Sequence, residues 1–166
     1  MSWQLLARLR VPLGFLGAAV ALVLAHPTAR SLLIGGGVAL LGEAVRVWAS
    51  GHIEKGREVT RSGPYRFVRH PLYLGSAIMA AGFSMASQSI WVVAIATIYV
   101  GSTFVAAMRM EEALLDRQFT GEYSAYREGR AAPVTRSFSL ARVMANREYQ
   151  AMAGLGAAIG ILMLKV

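Results

Sequence analysis

The chain has 166 residues, 17 Lys and Arg against 9 Asp and Glu, and no Cys, which gives a net charge of +8 on a sequence 55% hydrophobic and 16% charged. Soluble domains carry ~25% charged residues, so this composition, with a mean hydropathy of +0.47, excludes an ordinary soluble domain and excludes intrinsic disorder. The absence of Cys excludes a disulfide scaffold, a thiolate metal site and a cysteine nucleophile, and a pI of about 10.6 on so apolar a chain indicates a membrane protein with basic loops rather than a nucleic-acid binder.

Five apolar segments follow one another, and together they predict an all-α, polytopic membrane protein of one domain over residues 1–166. The first is Val11–Ala25, extendable back to Trp3; its end, Val23-Leu24-Ala25, also fits a signal-peptide cut site. The second is Ser31–Ala49, the third Pro71–Ser87, the fourth Ile90–Met108 and the fifth Tyr149–Val166, with its helix over about 149–164. A spanning helix needs ~17–25 residues. The second, third and fourth segments meet that length, and the first and fifth need their flanks.

If all five cross, Arg8, Arg10, five basic residues of loop 50–70 and seven of loop 109–148 share one face. Arg30 and Lys165 alone lie on the other, and Arg46 lies inside the second segment. Lys and Arg concentrate on the cytoplasmic side of membrane proteins. The expected N-terminus is therefore cytoplasmic and the C-terminus is on the opposite face. Small residues punctuate the segments: Gly14, Gly17 and Ala21, then Gly35, Gly36, Gly37 and Gly42, then Gly156 and Gly160. They let helices approach closely in lipid. Packing within one bundle is the first reading, and a homodimer through the Gly156/Gly160 helix is the second.

Glu43 and Arg46 sit one turn apart in the second segment. Ionisable residues at membrane depth face a bundle interior or a wet cavity, though Arg46 is near enough to the helix end to snorkel. The next loop ends in Arg61-Ser-Gly63-Pro64-Tyr65-Arg66-Phe-Val-Arg69-His70-Pro71-Leu-Tyr73-Leu-Gly75. Gly63-Pro64 signals a turn, and Pro71 suits the first turn of a helix. That places Arg69 and His70 beside free helix N–H groups, which favour anions, with Tyr65 and Tyr73 as aromatic surface. After the fourth segment come Glu111, Glu112, Phe119, Gly121, Glu122, Tyr123 and Tyr126. Helical spacing puts Met108, Glu112, Leu115 and Phe119 on one stripe. The three His are scattered with no metal-ligand spacing, and there is no phosphate-binding Gly-rich loop or nucleophile elbow.

Taken together, Gly63-Pro64-Tyr65-x-x-x-Arg69-His70-Pro71-x-Tyr73-x-Gly75, the Glu111-Glu112 pair and Gly121-Glu122-Tyr123-x-x-Tyr126 closely resemble the isoprenylcysteine carboxyl methyltransferase family, akin to the phospholipid N-methyltransferases. The resemblance covers about residues 40–127. It implies S-adenosylmethionine as methyl donor, S-adenosylhomocysteine as product, and a cofactor pocket at the cytoplasmic face. It also implies a lipophilic acceptor, an isoprenylcysteine-like carboxylate or a lipid, entering from the bilayer. By match, Arg69, His70, Tyr73, Gly75, Glu111 and Glu112 would line the cofactor pocket, with Tyr65, Tyr123 and Tyr126 as further candidates. For a carboxylate acceptor, Arg46 is the candidate holder. An amine acceptor would want Glu43 or Glu111 as base. The alternatives are a phospholipid N-methyltransferase, an NADPH enzyme of the sterol-reductase type on the related fold, or a non-catalytic assembly protein. After Tyr126 the chain departs from the family pattern, running through Arg127–Arg147 into the fifth segment.

Overall fold

The computed structural model describes residues 3–132 and 134–166; the side chains of residues 3–8 and of residue 10 lie outside the described residues, and with them the predicted basic pair Arg8 and Arg10. Among the described residues the chain is 73% helix with no strands. The elements in order are α1 (Trp3–Leu24), α2 (Ala29–Ser50), a 3₁₀ turn (Gly63–Arg66), α3 (Pro71–Ser87), α4 (Ile90–Tyr99), a π-helical turn (Val100–Phe104), α5 (Val105–Gln118), α6 (Glu122–Arg127), α7 (Leu140–Ala145) and α8 (Tyr149–Met163).

Local chemistry sets the helix starts. Thr28 and Ser31 cap α2 reciprocally: the Ser31 N–H donates to Thr28 Oγ1 at 3.1 Å and the Thr28 N–H to Ser31 Oγ at 2.9 Å. Pro71 opens α3, where its missing N–H costs nothing. Helices α4 and α5 join through the π turn into one helix, Ile90–Gln118. The helix that carries the fourth apolar segment therefore runs on past Met108 to Gln118. Neither Gly nor Pro falls between Gly101 and Gly121, so nothing stops the helix when its sequence turns polar. Two helices, Ala29–Ser50 and Ile90–Gln118, are long and apolar enough to cross a membrane, while Val11–Leu24 and Tyr149–Met163 are shorter apolar stretches. The third, Pro71–Ser87, has 17 residues.

The tightest contact joins α2 to α3. A Cβ on Gly35 would fall 2.4 Å from the Ala86 nitrogen and the Gly82 oxygen, one on Gly82 2.4 Å from the Ala39 nitrogen, and one on Gly42 2.6 Å from the Gly75 oxygen. Backbone here meets backbone, which only glycine permits. Beside Gly36, Gly37, Gly156 and Gly160 an added Cβ meets nothing within 4 Å.

Successive long helices alternate in direction. At one end the His26 N–H donates to the Ser87 oxygen at 2.8 Å and Ser31 Oγ to the Ala86 oxygen at 3.0 Å. Lys165, just past α8, donates to the Leu22, Val23 and Ala25 oxygens at 2.8, 3.1 and 2.6 Å, a cation on the carbonyl end of α1.

At the other end the segment around α7 straps the loop that follows α2. Arg142 Nε donates to the Gly51 oxygen at 2.7 Å, Asn146 Nδ2 to the Ser50 and Ile53 oxygens at 3.0 and 3.2 Å, and Arg136 grips both Glu58 oxygens at 2.6 and 2.7 Å. Beneath the strap His52 is buried, with Nδ1 3.2 Å from Ser62 Oγ. Gly63, in the left-handed region at φ +56°, lies so near the imidazole that a Cβ would come within 2.5 Å of it. Burial, then the nearby Arg142, Arg136 and Arg66 charges, push the His52 pKa down. The folded chain therefore resists protonation that the unfolded chain accepts near pH 6.5. Stability is full above that pH and falls as pH drops toward the lower folded value. Thermal melts from pH 8 to 5 are expected to show a decline below about pH 6.5 that is smaller in His52→Asn; parallel profiles would count against it.

Candidate functional site

The polar end of the bundle holds two adjoining clusters, separated by Tyr65. The outer cluster surrounds a cavity of about 240 Å³. One wall is the 53–60 loop, and the other carries Tyr65, Arg69, His70, Glu111, Tyr123 and Tyr126. The 3₁₀ turn delivers Tyr65, the residues before Pro71 deliver Arg69 and His70, α5 delivers Glu111, and α6 delivers the two tyrosines.

Three bonds hold this assembly closed. Gln118 Nε2 donates to the Gly56 oxygen at 2.7 Å, Arg61 pairs with Glu122 at 3.0 Å, and the Tyr126 hydroxyl donates to the Tyr65 oxygen at 2.6 Å. The segment after the fourth apolar helix thus roofs the cavity.

Behind the wall, one oxygen of Glu112 receives His70 Nε2 at 2.9 Å and Arg69 Nη1 at 3.1 Å. An ionised carboxylate only accepts, so Nε2 carries the proton. The two glutamates therefore divide their work. Glu111 faces the cavity, and Glu112 fixes the Arg69 guanidinium and the His70 ring of the wall. His70 precedes α3 without capping it through its side chain. Its ring turns instead to Glu112 and packs edge-on against Tyr73, with centroids 5.9 Å apart; Tyr73 in turn packs on Phe104 of the π turn at 5.4 Å. A π turn shifts a helix face by one residue, and such turns often mark functional sites.

The Tyr65 hydroxyl is buried with no hydrogen-bond partner among the described residues, while the buried Tyr123 hydroxyl is directed at the Glu112 carboxylate. Burial raises both phenol pKa values, helped by Glu111 beside Tyr65 and by Glu112 beside Tyr123. Both phenols are therefore protonated at neutral pH, and Tyr65 offers an unused donor.

The inner cluster is ionic. Arg46 Nε lies 2.7 Å from Glu148 Oε1 and 3.7 Å from Glu43 Oε2, while Nη1 donates to Ser76 Oγ at 2.5 Å and to the Leu72 oxygen at 3.4 Å. Glu43 and Glu148 are buried, and neither Glu43 oxygen has a hydrogen-bond partner among the described residues. Gly75 is the floor beneath the Arg46 stem, since a Cβ there would fall 2.6 Å from Arg46 Cγ. Of the residues marked in the sequence, Arg69, His70, Glu111, Tyr65 and Tyr123 meet at the cavity. Tyr73 and Glu112 brace them, and Arg46, Glu43 and Gly75 lie one layer inward. Glu148 and Ser76 carried no mark. The available signal was an acidic residue at the start of the fifth apolar helix, where it suits the helix dipole.

The sequence model for phospholipid methyltransferases matches residues 32–122, more than half of the chain. The chain belongs to that family. The match runs from the first turn of α2 through α5, and takes in Arg46 and the cavity wall apart from Tyr123 and Tyr126, but ends before Glu148. It agrees with the resemblance carried by the His70 and glutamate motifs. The described residues of this phospholipid methyltransferase family member are helical with no strands, and two of its helices are long and apolar enough to cross a membrane. A nickel-cobalt-cadmium resistance protein, NccN, of Alcaligenes xylosoxydans xylosoxydans is 33% identical over 76 residues, 45% of this chain and 36% of that protein. The matched part is little more than a third of that relative's length. No solved structure matches the chain.

Proposed function

We propose that the chain transfers a methyl group from S-adenosylmethionine to a lipophilic acceptor that reaches the site from the bilayer. In this reading the five apolar helices, α4 and α5 counting as one, cross the membrane as a single domain. The cavity is cytoplasmic and the C-terminus is on the opposite face. The one-sided distribution of Lys and Arg supports that orientation. Residues 40–127 form the core of the domain, and the rest closes it. The carrying observation is the gathering of Arg69, His70, Glu111, Tyr65 and Tyr123 on one cavity, with the buried Tyr65 hydroxyl unused.

The donor set fits the cofactor. Arg69 and His70 suit its carboxylate. Glu111 suits its ribose hydroxyls or ammonium group. The Tyr65 hydroxyl has a donor to spare, and the rings of Tyr65, Tyr123 and Tyr126 suit a sulfonium. Tyr73 and Glu112 hold His70 in place. When bound, S-adenosylmethionine supplies a methyl group on positively charged sulfur. The chain's own residues orient it, and the roof of α5 and α6 keeps water out. Direct displacement asks mainly for such positioning and exclusion.

Calorimetric titration of the detergent-solubilised protein tests the reading. S-adenosylmethionine and S-adenosylhomocysteine are expected to bind. His70→Ala and Glu111→Ala each remove a charged or charge-assisted contact, for an expected loss of roughly tenfold to a hundredfold in affinity. No binding by the unmodified protein, or preferential binding of NADPH, would overturn it.

A further inference from the structure

Arg46 is the one cation of the inner cluster, and its Nε and Nη1 are already engaged. Glu148 holds Nε at 2.7 Å, Ser76 and the Leu72 oxygen hold Nη1, and Glu43 stands 3.7 Å away. With one guanidinium and two carboxylates, the cluster has a formal charge of −1. An anionic headgroup arriving here would meet a cation already paired with the buried Glu148 carboxylate, and a second buried carboxyl group, Glu43, beside it.

Glu148 reaches this position through a built turn. Asn146 fastens the chain to the end of α2 through the Ser50 and Ile53 oxygens at 3.0 and 3.2 Å. Arg147 then adopts φ +57°, a left-handed conformation uncommon for any residue but glycine. Strained backbone of this kind persists only where surrounding contacts impose it, and it clusters at functional positions. The turn starts α8 and directs the Glu148 carboxylate into the bundle, where its side chain is 5% exposed. Glu148 lies beyond the stretch that matches the family, residues 32–122. The site's second buried carboxylate is thus supplied by the part of the chain that departs from the family pattern.

We propose that Glu148 determines acceptor specificity: it fills from within the chain the seat that an acceptor carboxylate would take on Arg46, so the site receives a lipophilic amine and rejects a lipophilic carboxylate. This rests on the methyltransferase reading for the purpose of the site, and it chooses between the two acceptor chemistries. Glu43, buried with both oxygens unpartnered, is the group left to accept hydrogen bonds from an ammonium or amine. Discrimination of this sort works by repulsion as much as by attraction, because a buried like charge penalises the wrong partner.

The test uses two probes of equal chain length and opposite headgroup charge, radiolabelled hexadecylamine and hexadecanoate. Each is equilibrated by dialysis with the full chain in detergent micelles and with empty micelles. The unmodified protein is expected to retain the amine over the carboxylate by about tenfold or more, a difference of ~1.4 kcal/mol. Glu148→Gln frees Arg46 and removes one negative charge, and is expected to cut that ratio by about tenfold. Glu148→Asp keeps the charge and is expected to keep the preference. Equal retention of the probes, preference for hexadecanoate, or an unchanged ratio in Glu148→Gln would each overturn the proposal. If Glu148→Gln does not fold, the ratio in the unmodified protein decides alone. Binding of S-adenosylmethionine, measured separately, tells failure of the methyltransferase reading from failure of the specificity assignment.

Discussion

Gly82→Leu is expected to leave no folded monomer. On α3, Gly82 faces the Ala39 nitrogen and the Gly35 oxygen of α2, where even a Cβ would stand 2.4 and 2.5 Å from backbone atoms. A leucine cannot escape by changing rotamer, because the obstacle is main chain. The helices must separate along their whole seam, which also pulls Gly42 from Gly75 and shifts Arg46. Overpacking a core costs ~1–3 kcal/mol even where side chains can adjust, and a domain has only ~5–15 kcal/mol to lose. A control lies two residues past Gly35. Gly37→Leu meets nothing within 4 Å and gains the higher helix propensity of leucine, worth ~1 kcal/mol at most. Fluorescence-detected size exclusion and thermal melts of both variants read the difference. A Gly82→Leu protein that elutes and melts like the unmodified chain would refute the seam.

The second large effect is expected from Arg46→Met. The substitution keeps much of the stem and removes the charge, so Glu43 and Glu148 remain buried without a counter-ion. Removing one partner of a buried ion pair typically costs ~3–5 kcal/mol, because the remaining charge is uncompensated. Here two carboxylates are left. Neutralising them should restore most of the loss, since a neutral buried set is often no less stable than a charged one. Arg46→Met is therefore expected to melt far below the unmodified protein, and the triple variant with Glu43→Gln and Glu148→Gln to recover most of the difference. Equal melting of the single and triple variants would show that the three groups do not act as a unit.

The parts of this fold most legible in the sequence are those punctuated by strong local signals. Helix α3 runs from Pro71 to Ser87, the bounds set by proline on one side and the change of composition at Gln88 on the other. The fourth apolar segment illustrates the limit. Hydropathy ends at Met108, but hydrogen bonding runs on to Gln118. Apolar length measures a solvent boundary and not a helix end. The π turn at Val100–Phe104 has no signature in composition.

The outer cluster was legible because its members sit in short motifs. Arg69, His70 and Tyr73 lie within five positions, and the stripe through Met108 and Leu115 already placed Glu112 inward. The division of labour between Glu111 and Glu112 was not legible, since it depends on which way α5 faces after the π turn. Glu148 was hidden for two reasons. It stands 102 positions from Arg46, and it follows a run of arginines that reads as a solvated basic surface.

That separation has a consequence for how the protein is made. The α2–α3 pair needs only residues close in sequence and can form as a hairpin soon after both helices have emerged. Glu148 leaves the ribosome roughly 5–20 seconds after Arg46, at ordinary rates of synthesis. For that interval Glu43 is the only carboxylate partner that Arg46 has from the inner cluster, and the loop after α2 lacks its strap. Helix α8, made after α2, therefore brings the carboxylate that holds the Arg46 charge. The ionic cluster around Arg46 is thus completed late in synthesis rather than at its start.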